Sequence, residues 1–143
     1  MAVAVQIVLD CAHPSAQAAF WQIALDYRLD PPPPGFTSWD DAKKAWGLPE
    51  DWDQVSAISD PDGVGPRLFF QQVPEGKTVK NRLHLDVSVG RGIQDPEERW
   101  ATVVARVERL TAAGAAVVEE RRHEHGDHWM VMTDPEGNEF CVQ

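Results

Sequence analysis

Positive charge is scarce in this chain. Thirteen Lys and Arg stand against 23 Asp and Glu, a formal net charge of −10. Nucleic acid, whose phosphates need Lys and Arg, is therefore not an expected partner, nor is an anionic membrane surface. No apolar run approaches the length of about 18 residues that a membrane span requires, and the amino terminus lacks the basic stretch and long apolar region of a signal peptide. Only two cysteines are present, Cys11 and Cys141. A domain of this size needs no disulfide staple, so both are expected as free thiols in a reducing cytoplasm. The glycine patterns of dinucleotide-binding and phosphate-loop folds are also missing, which argues against the nucleotide-binding α/β classes.

What remains is an ordinary globular composition, 43% hydrophobic and 25% charged over 143 residues, enough for one domain with a real core. Its main feature is internal repetition. Asp60-Pro61-Asp62-Gly63 leads into Leu68-Phe69-Phe70-Gln71, and Asp134-Pro135-Glu136-Gly137 leads into Glu139-Phe140-Cys141-Val142. Upstream of each lies an alternating apolar segment, Val3–Leu9 and Leu83–Val89, and then a helical pattern. Pro14 opens the first helix, with Ala16, Ala19, Phe20, Ile23, Ala24 and Tyr27 as its expected buried stripe. Asp95-Pro96-Glu97-Glu98 opens the second, a cap followed by a first-position proline and acids at the positive helix end. Trp100, Val103, Val104, Val107, Leu110 and Thr111 form its stripe, and Gly114 stops it.

Between the first helix and its strands, Pro31–Pro34 reads as an extended arm. An insertion over residues 38–53 follows, with a short helix capped by Ser38 and three tryptophans, Trp39, Trp46 and Trp52. These form either a lid over a ligand or a small core of their own. Strands are expected at Gln54–Ser59 and Arg67–Val73 in the first half. In the second half they are expected at Ala116–Arg121, His128–Thr133 and Glu139–Val142. The order is strand, helix, then about three strands, twice: an α+β fold with helices on one face of each sheet. Module 1 covers about residues 1–76 and module 2 about 80–143 of a single domain, 1–143.

Strand alternation sorts the side chains. Leu68, Phe70, Phe140 and Val142 should pack on helices, leaving Gln6, Gln71, His84 and Cys141 on the opposite faces. If the two sheets fold toward each other, these four converge on a cavity, with Trp129 as cavity wall or core. The Asp-Pro-acid-Gly turns are read as structural. Arg67 and Arg82 are either anion contacts or solvated charge. His123 and His125 at alternate positions have metal-like spacing, but Gly126-Asp127 makes the segment more simply a hairpin tip.

The doubled strand–helix–three-strand plan, Asn81-Arg82-Leu83-His84-Leu85-Asp86, and the DPEGNEFCV ending resemble the glyoxalase-like domain proteins of the vicinal oxygen chelate superfamily. That group also holds bleomycin-resistance proteins and extradiol dioxygenases. The resemblance implies two βαβββ modules forming a curved-sheet cavity. It also implies a metal site with ligands from the first and last strand of each module. Here those positions fall on Gln6, Gln71, His84 and Cys141, where the family commonly has carboxylates at the second and fourth. Two amides, an imidazole and a thiol hold a divalent ion weakly, although Cys with His suits zinc. The resulting expectation is a cytoplasmic, homodimeric, small-molecule-binding protein with a degenerate metal site. It carries no cofactor or a weakly bound Zn, Ni, Mn or Fe. The alternative is a metal-dependent lyase or isomerase, not a strict glyoxalase I.

Overall fold

A computed structural model describes all residues, 1–143. The chain divides into two compact units, Met1–Gln22 with Asp26–Glu75, and Ile23–Leu25 with Gly76–Gln143. Each contains one four-stranded sheet.

In the first unit the elements run β1 (Gln6–Cys11), α1 (Pro14–Leu25, whose last turn falls in the second unit), β2 (Arg28–Leu29), α2 (Trp39–Ala45), β3 (Val55–Ser59) and β4 (Arg67–Gln72). The strand order is β1-β4-β3-β2, with β1 and β4 parallel and the other pairs antiparallel. The apolar run at the amino terminus predicts a strand from Val3, yet pairing begins at Gln6, opposite Arg67. Pro66 precedes Arg67 and has no N–H to extend the ladder, so Val3 and Val5 stay exposed. Leu68 and Phe70 are fully buried as the alternation predicts, together with Ile58.

The buried side of α1 differs from the expected stripe. Gln17, Ala18, Phe20, Trp21 and Ala24 are buried, while Ala16, Ala19 and Ile23 are exposed. The helix is rich in alanine, so two apolar stripes compete, and the larger area of Trp21 decides between them. The helix ends on Asp26 in the left-handed conformation. The two-residue β2 is absent from the sequence reading; it pairs with β3 through Arg28 and Leu29. Ser38 caps α2 as expected, its Oγ accepting from the Asp41 N–H at 3.0 Å.

The second unit repeats the plan: β5 (Asp86–Val87), α3 (Pro96–Ala112), β6 (Ala116–Arg122), β7 (His128–Thr133) and β8 (Glu139–Val142). The order β5-β8-β7-β6, with β5 and β8 parallel, matches the first sheet position for position. The duplication read from the sequence is therefore real at the level of topology. Asp95 caps α3, accepting from the Glu98 N–H at 2.8 Å. Val103, Val107 and Leu110 face inward and meet the buried side of the sheet, formed by Met130, Met132, Phe140 and Val142. Thr111 lies outside the stripe: it is exposed, and its hydroxyl donates to the Val107 carbonyl.

The strand expected over Leu83–Val89 shortens to two residues. Asn81 N–H is taken by the Glu139 carboxylate at 3.0 Å, and the regular ladder begins only where Cys141 N–H reaches the Leu85 carbonyl. The edge strand β6 is exposed along its length. A register shift between Val117 and Glu119 and the run Glu119–Arg122 protect that edge from pairing with other chains.

Both acid turns are built by their aspartates. Asp60 accepts N–H groups from Asp62, Val64 and Gly65. Gly65 N–H first, with Asp62 and Val64 after it, holds the Asp60 carboxyl below the usual range. Buried Asp134 accepts from Glu136 and Asn138 in the same way. Gly63 and Gly137 supply the positive φ, 68° and 89°, that closes each turn.

Candidate functional site

In the second sheet the residues turned away from α3 are those at odd positions: Glu139 and Cys141 on β8, Trp129 and Val131 on β7. With His84 and Asp86 beside β8 they line a concavity of about 560 Å³. Three donors meet there. The ligating atoms of His84, Asp86 and Cys141 lie within 4.8 Å of one another, and they form the one cluster of His, Cys, Asp and Glu in the chain with that property. Strand pairing explains the meeting: Asp86 is the register partner of Cys141, and His84 shares the Asp86 face two residues upstream. His84 Nε2 lies 3.4 Å from Asp86 Oδ1. Burial first, and then the Asp86 carboxylate, push the Cys141 thiol up.

The other carboxylates on these strands are engaged. Glu139 accepts from Asn81 N–H and pairs with Lys77 at 3.2 Å. The Asn81 N–H, Glu139's own backbone N–H and Lys77 lower its pKa from 4.5 to about 2. Glu119 pairs with Arg121 along the same strand. His123 packs edge-on against Trp129, with ring centroids 4.9 Å apart, so the aromatic wall of the concavity is fixed.

The first sheet presents different chemistry on its corresponding face. Gln6 pairs with Arg67 and Gln71 with Asp10, so both amides share one face of the β1–β4 pair. They sit at its two ends, four residues apart along the strands, roughly 13 Å at the usual rise. His84 and Cys141 are brought together; Gln6 and Gln71 are not. The registers also show why. Cys141 is the register partner of Asp86, two residues after His84. Two residues beyond Arg67, opposite Gln6, lies Phe69, so Phe69 is the counterpart of Cys141 and Gln71 the counterpart of Gln143. Gln6 Oε1 accepts from Arg67 Nη1 at 2.5 Å. Arg67 also pairs with Asp30 at 2.7 Å and lies over the Phe69 ring. It is thus a structural cation rather than a free anion contact. The sequence could have shown this shift, had the repeats been aligned on Arg67-Leu68-Phe69-Phe70-Gln71 and Glu139-Phe140-Cys141-Val142-Gln143. Asp86 joins His84 and Cys141 through its pairing with Cys141, a partnership that periodicity alone does not reveal.

The insertion tryptophans make separate local contacts. Trp39 Nε1 donates to the Asp30 carbonyl at 2.8 Å, Trp46 packs edge-on against Phe36, and Lys43 lies over Trp52. His123 and His125 do not share a strand, because β6 ends at Arg122 and His123 N–H closes a turn onto the Asp127 carbonyl. Both cysteines are free and buried. No helix is long and apolar enough to cross a membrane.

The model of the glyoxalase-like domain matches residues 6–143. The chain belongs to this family, and with it to the vicinal oxygen chelate superfamily. Solved structures agree on the fold. A glyoxalase/bleomycin resistance protein/dioxygenase family enzyme from Burkholderia phytofirmans PsJN is 15% identical with a TM-score of 0.60, over 96% of this chain and 94% of that one. The genomically encoded fosfomycin resistance protein FosX of Listeria monocytogenes, solved as a point mutant with Mn(II) and 1S,2S-dihydroxypropylphosphonic acid, is 13% identical. Its TM-score is 0.64, over 100% of this chain and 90% of that one. A possible glyoxalase from Bacillus cereus is 16% identical with a TM-score of 0.61, over 100% and 99%. At these identities the likeness is one of fold. No curated protein matches the sequence.

The donor set of this glyoxalase-like chain can be tested against a divalent ion. An imidazole, a carboxylate and a thiol suit zinc better than manganese, which prefers oxygen. The three donors are close enough to share an ion, which must compete for them with protons and water. The thiol must lose a proton that burial and Asp86 help to retain, and His84 and Asp86 are both about half exposed to competing water.

Proposed function

We propose that this glyoxalase-like chain binds a small organic molecule on the concave face of the second sheet and performs no metal-dependent turnover. The observation that carries this reading is the state of the acids on that face. Of the carboxylates lining it, Asp86 is shared with His84 and Cys141, Glu119 is held by Arg121, and Glu139 is held by Asn81 and Lys77, which leaves Asp127 in the β6–β7 turn as the one without such a partner. A carboxylate whose pKa lies at about 2 is a poor proton acceptor at neutral pH. The Cys141 thiol, pushed up, is no better as a base. What the face offers instead is an apolar wall, Trp129 and Val131, with a few polar groups to orient a ligand: a binding-site composition. On this reading His84 and Trp129 contact the ligand directly. Gln6 and Gln71 would be ligand contacts on the β1–β4 face of the first sheet. The protein would act in the cytoplasm as a homodimer.

A specific observation favours a second reading. The His84–Asp86–Cys141 cluster would hold a zinc-type ion with its remaining positions open, and such an ion supplies Lewis acidity toward a carbonyl or paired oxygens. The family expectation of Gln6 and Gln71 as further ligands gains no support from their separation on the β1–β4 face.

A thermal-shift screen of small organic molecules separates the readings. Hits on metal-free protein that weaken in His84→Ala and Trp129→Leu support binding. Hits that appear only after zinc is added support the metal-dependent alternative.

A further inference from the structure

The second sheet has another concavity, of about 510 Å³, on the face opposite the one just described. His128 shares its strand face with Met130 and Met132, which are buried toward α3, while Trp129 and Val131 look the other way. The walls are the loop from Gly90 to Gln94, the first turns of α3, and the start of the β6–β7 hairpin.

Two of these walls are held rigid. Arg99 donates from Nε to the Ile93 carbonyl at 2.9 Å and from Nη2 to the Gln94 carbonyl at 3.3 Å. A Cβ at Gly90 would come within 2.5 Å of the Arg99 Cγ, so glycine is what lets this brace pass under the loop. Across the cavity Trp100 stacks on His128, with centroids 3.3 Å apart and planes 15° apart. His128 is held in turn by Glu120, at 2.6 Å. The brace uses the Arg99 guanidinium on backbone carbonyls. Arg91 and Arg122, which line the cavity from the loop and from the end of β6, have no carboxylate partner. Two unengaged cations on one concavity run against the bulk charge of −10. The positive end of α3 is not the source of the effect, since Asp95 already caps it and Glu97 and Glu98 follow.

We propose that this concavity is a second ligand site, for a singly charged aromatic or other planar carboxylate. The guanidinium groups of Arg91 and Arg122 pair with the carboxylate. The planar body lies against Trp100, with Ile93 and Val103 as the apolar floor. Glu97 and Asp127, which also line the concavity, penalise further negative charge, which favours a monocarboxylate over a phosphate ester. The site does not depend on the reading of the opposite face.

The test is a titration of the full chain with 1-naphthoate by calorimetry and by the NMR signal of the Trp100 indole N–H. The expected result is saturable binding that shifts the Trp100 signal. It should weaken at least about tenfold in Arg91→Ala/Arg122→Ala, be unchanged in His84→Ala, and be far weaker for neutral 1-naphthamide. Arg91→Lys/Arg122→Lys should recover part of the affinity. Three results would overturn the proposal: no saturable binding, equal binding by the double alanine variant, or binding lost only in Lys80→Ala/Arg121→Ala, two cations that line the concavity on the opposite face, which would place the probe there.

Discussion

Two side chains carry most of what is testable one residue at a time. Glu139 ties the segment before β5 to β8 through Asn81 and Lys77. Its folded pKa of about 2 is depressed from 4.5. The stability it contributes is therefore fully present above pH about 4.5 and is lost as pH falls toward 2. Unfolding midpoints of the wild type should fall through that window more steeply than those of Glu139→Gln, which has no charge to lose there. Parallel curves would mean that the carboxylate gains nothing from the clasp. Gln17 is a different case. It is 1% exposed, and neither its Oε1 nor its Nε2 has a hydrogen-bond partner. A buried amide of this kind costs about 1–3 kcal/mol of desolvation. Gln17→Met, close in shape and without the polar atoms, should leave stability unchanged or raise it by about 1–2 kcal/mol in chemical denaturation. A clear loss would show that the amide is satisfied in solution.

Among the elements, α3 is the one most fully determined by its own residues. Cap, first-position proline, acidic first turn and the Val103–Val107–Leu110 stripe all agree, and the helix forms where they say. Asp95→Ala should cost about 0.5–2 kcal/mol through loss of the cap to Glu98 N–H. Met132→Ala, at a fully buried position under α3, should cost about 2–5 kcal/mol; both are read by urea denaturation. The ends of strands were less legible, for physical reasons. A strand ends where its partner ends, and local periodicity carries no information about the partner. Pro66, just before β4, has no N–H to carry pairing past Gln6, and regular pairing of β5 with β8 begins only at Asp86 opposite Cys141. The face of α1 was ambiguous because alanine fits either environment. The inward positions Leu68, Phe70, Phe140 and Val142 were legible because strand alternation is strict once a strand exists.

For the molecule as a whole, the repeated turns sufficed to read the repeated βαβββ order, and both sheets have the same strand order. The site was only half legible. His84, Cys141 and Trp129, grouped from alternation alone, line one concavity. The partnership with Asp86 and the replacement of the Cys141 counterpart by Phe69 come from register, which pairs residues distant in sequence. Together they leave one three-donor cluster, with a thiol whose pKa burial and then Asp86 push up. The claim that follows is that the concave face binds small molecules without a resident metal. Metal content per chain, on protein purified without nickel resin or chelator, tests it most directly. Far less than one transition metal per chain is expected. A stoichiometric metal that disappears in His84→Ala would contradict it and establish the metal-dependent reading in its place.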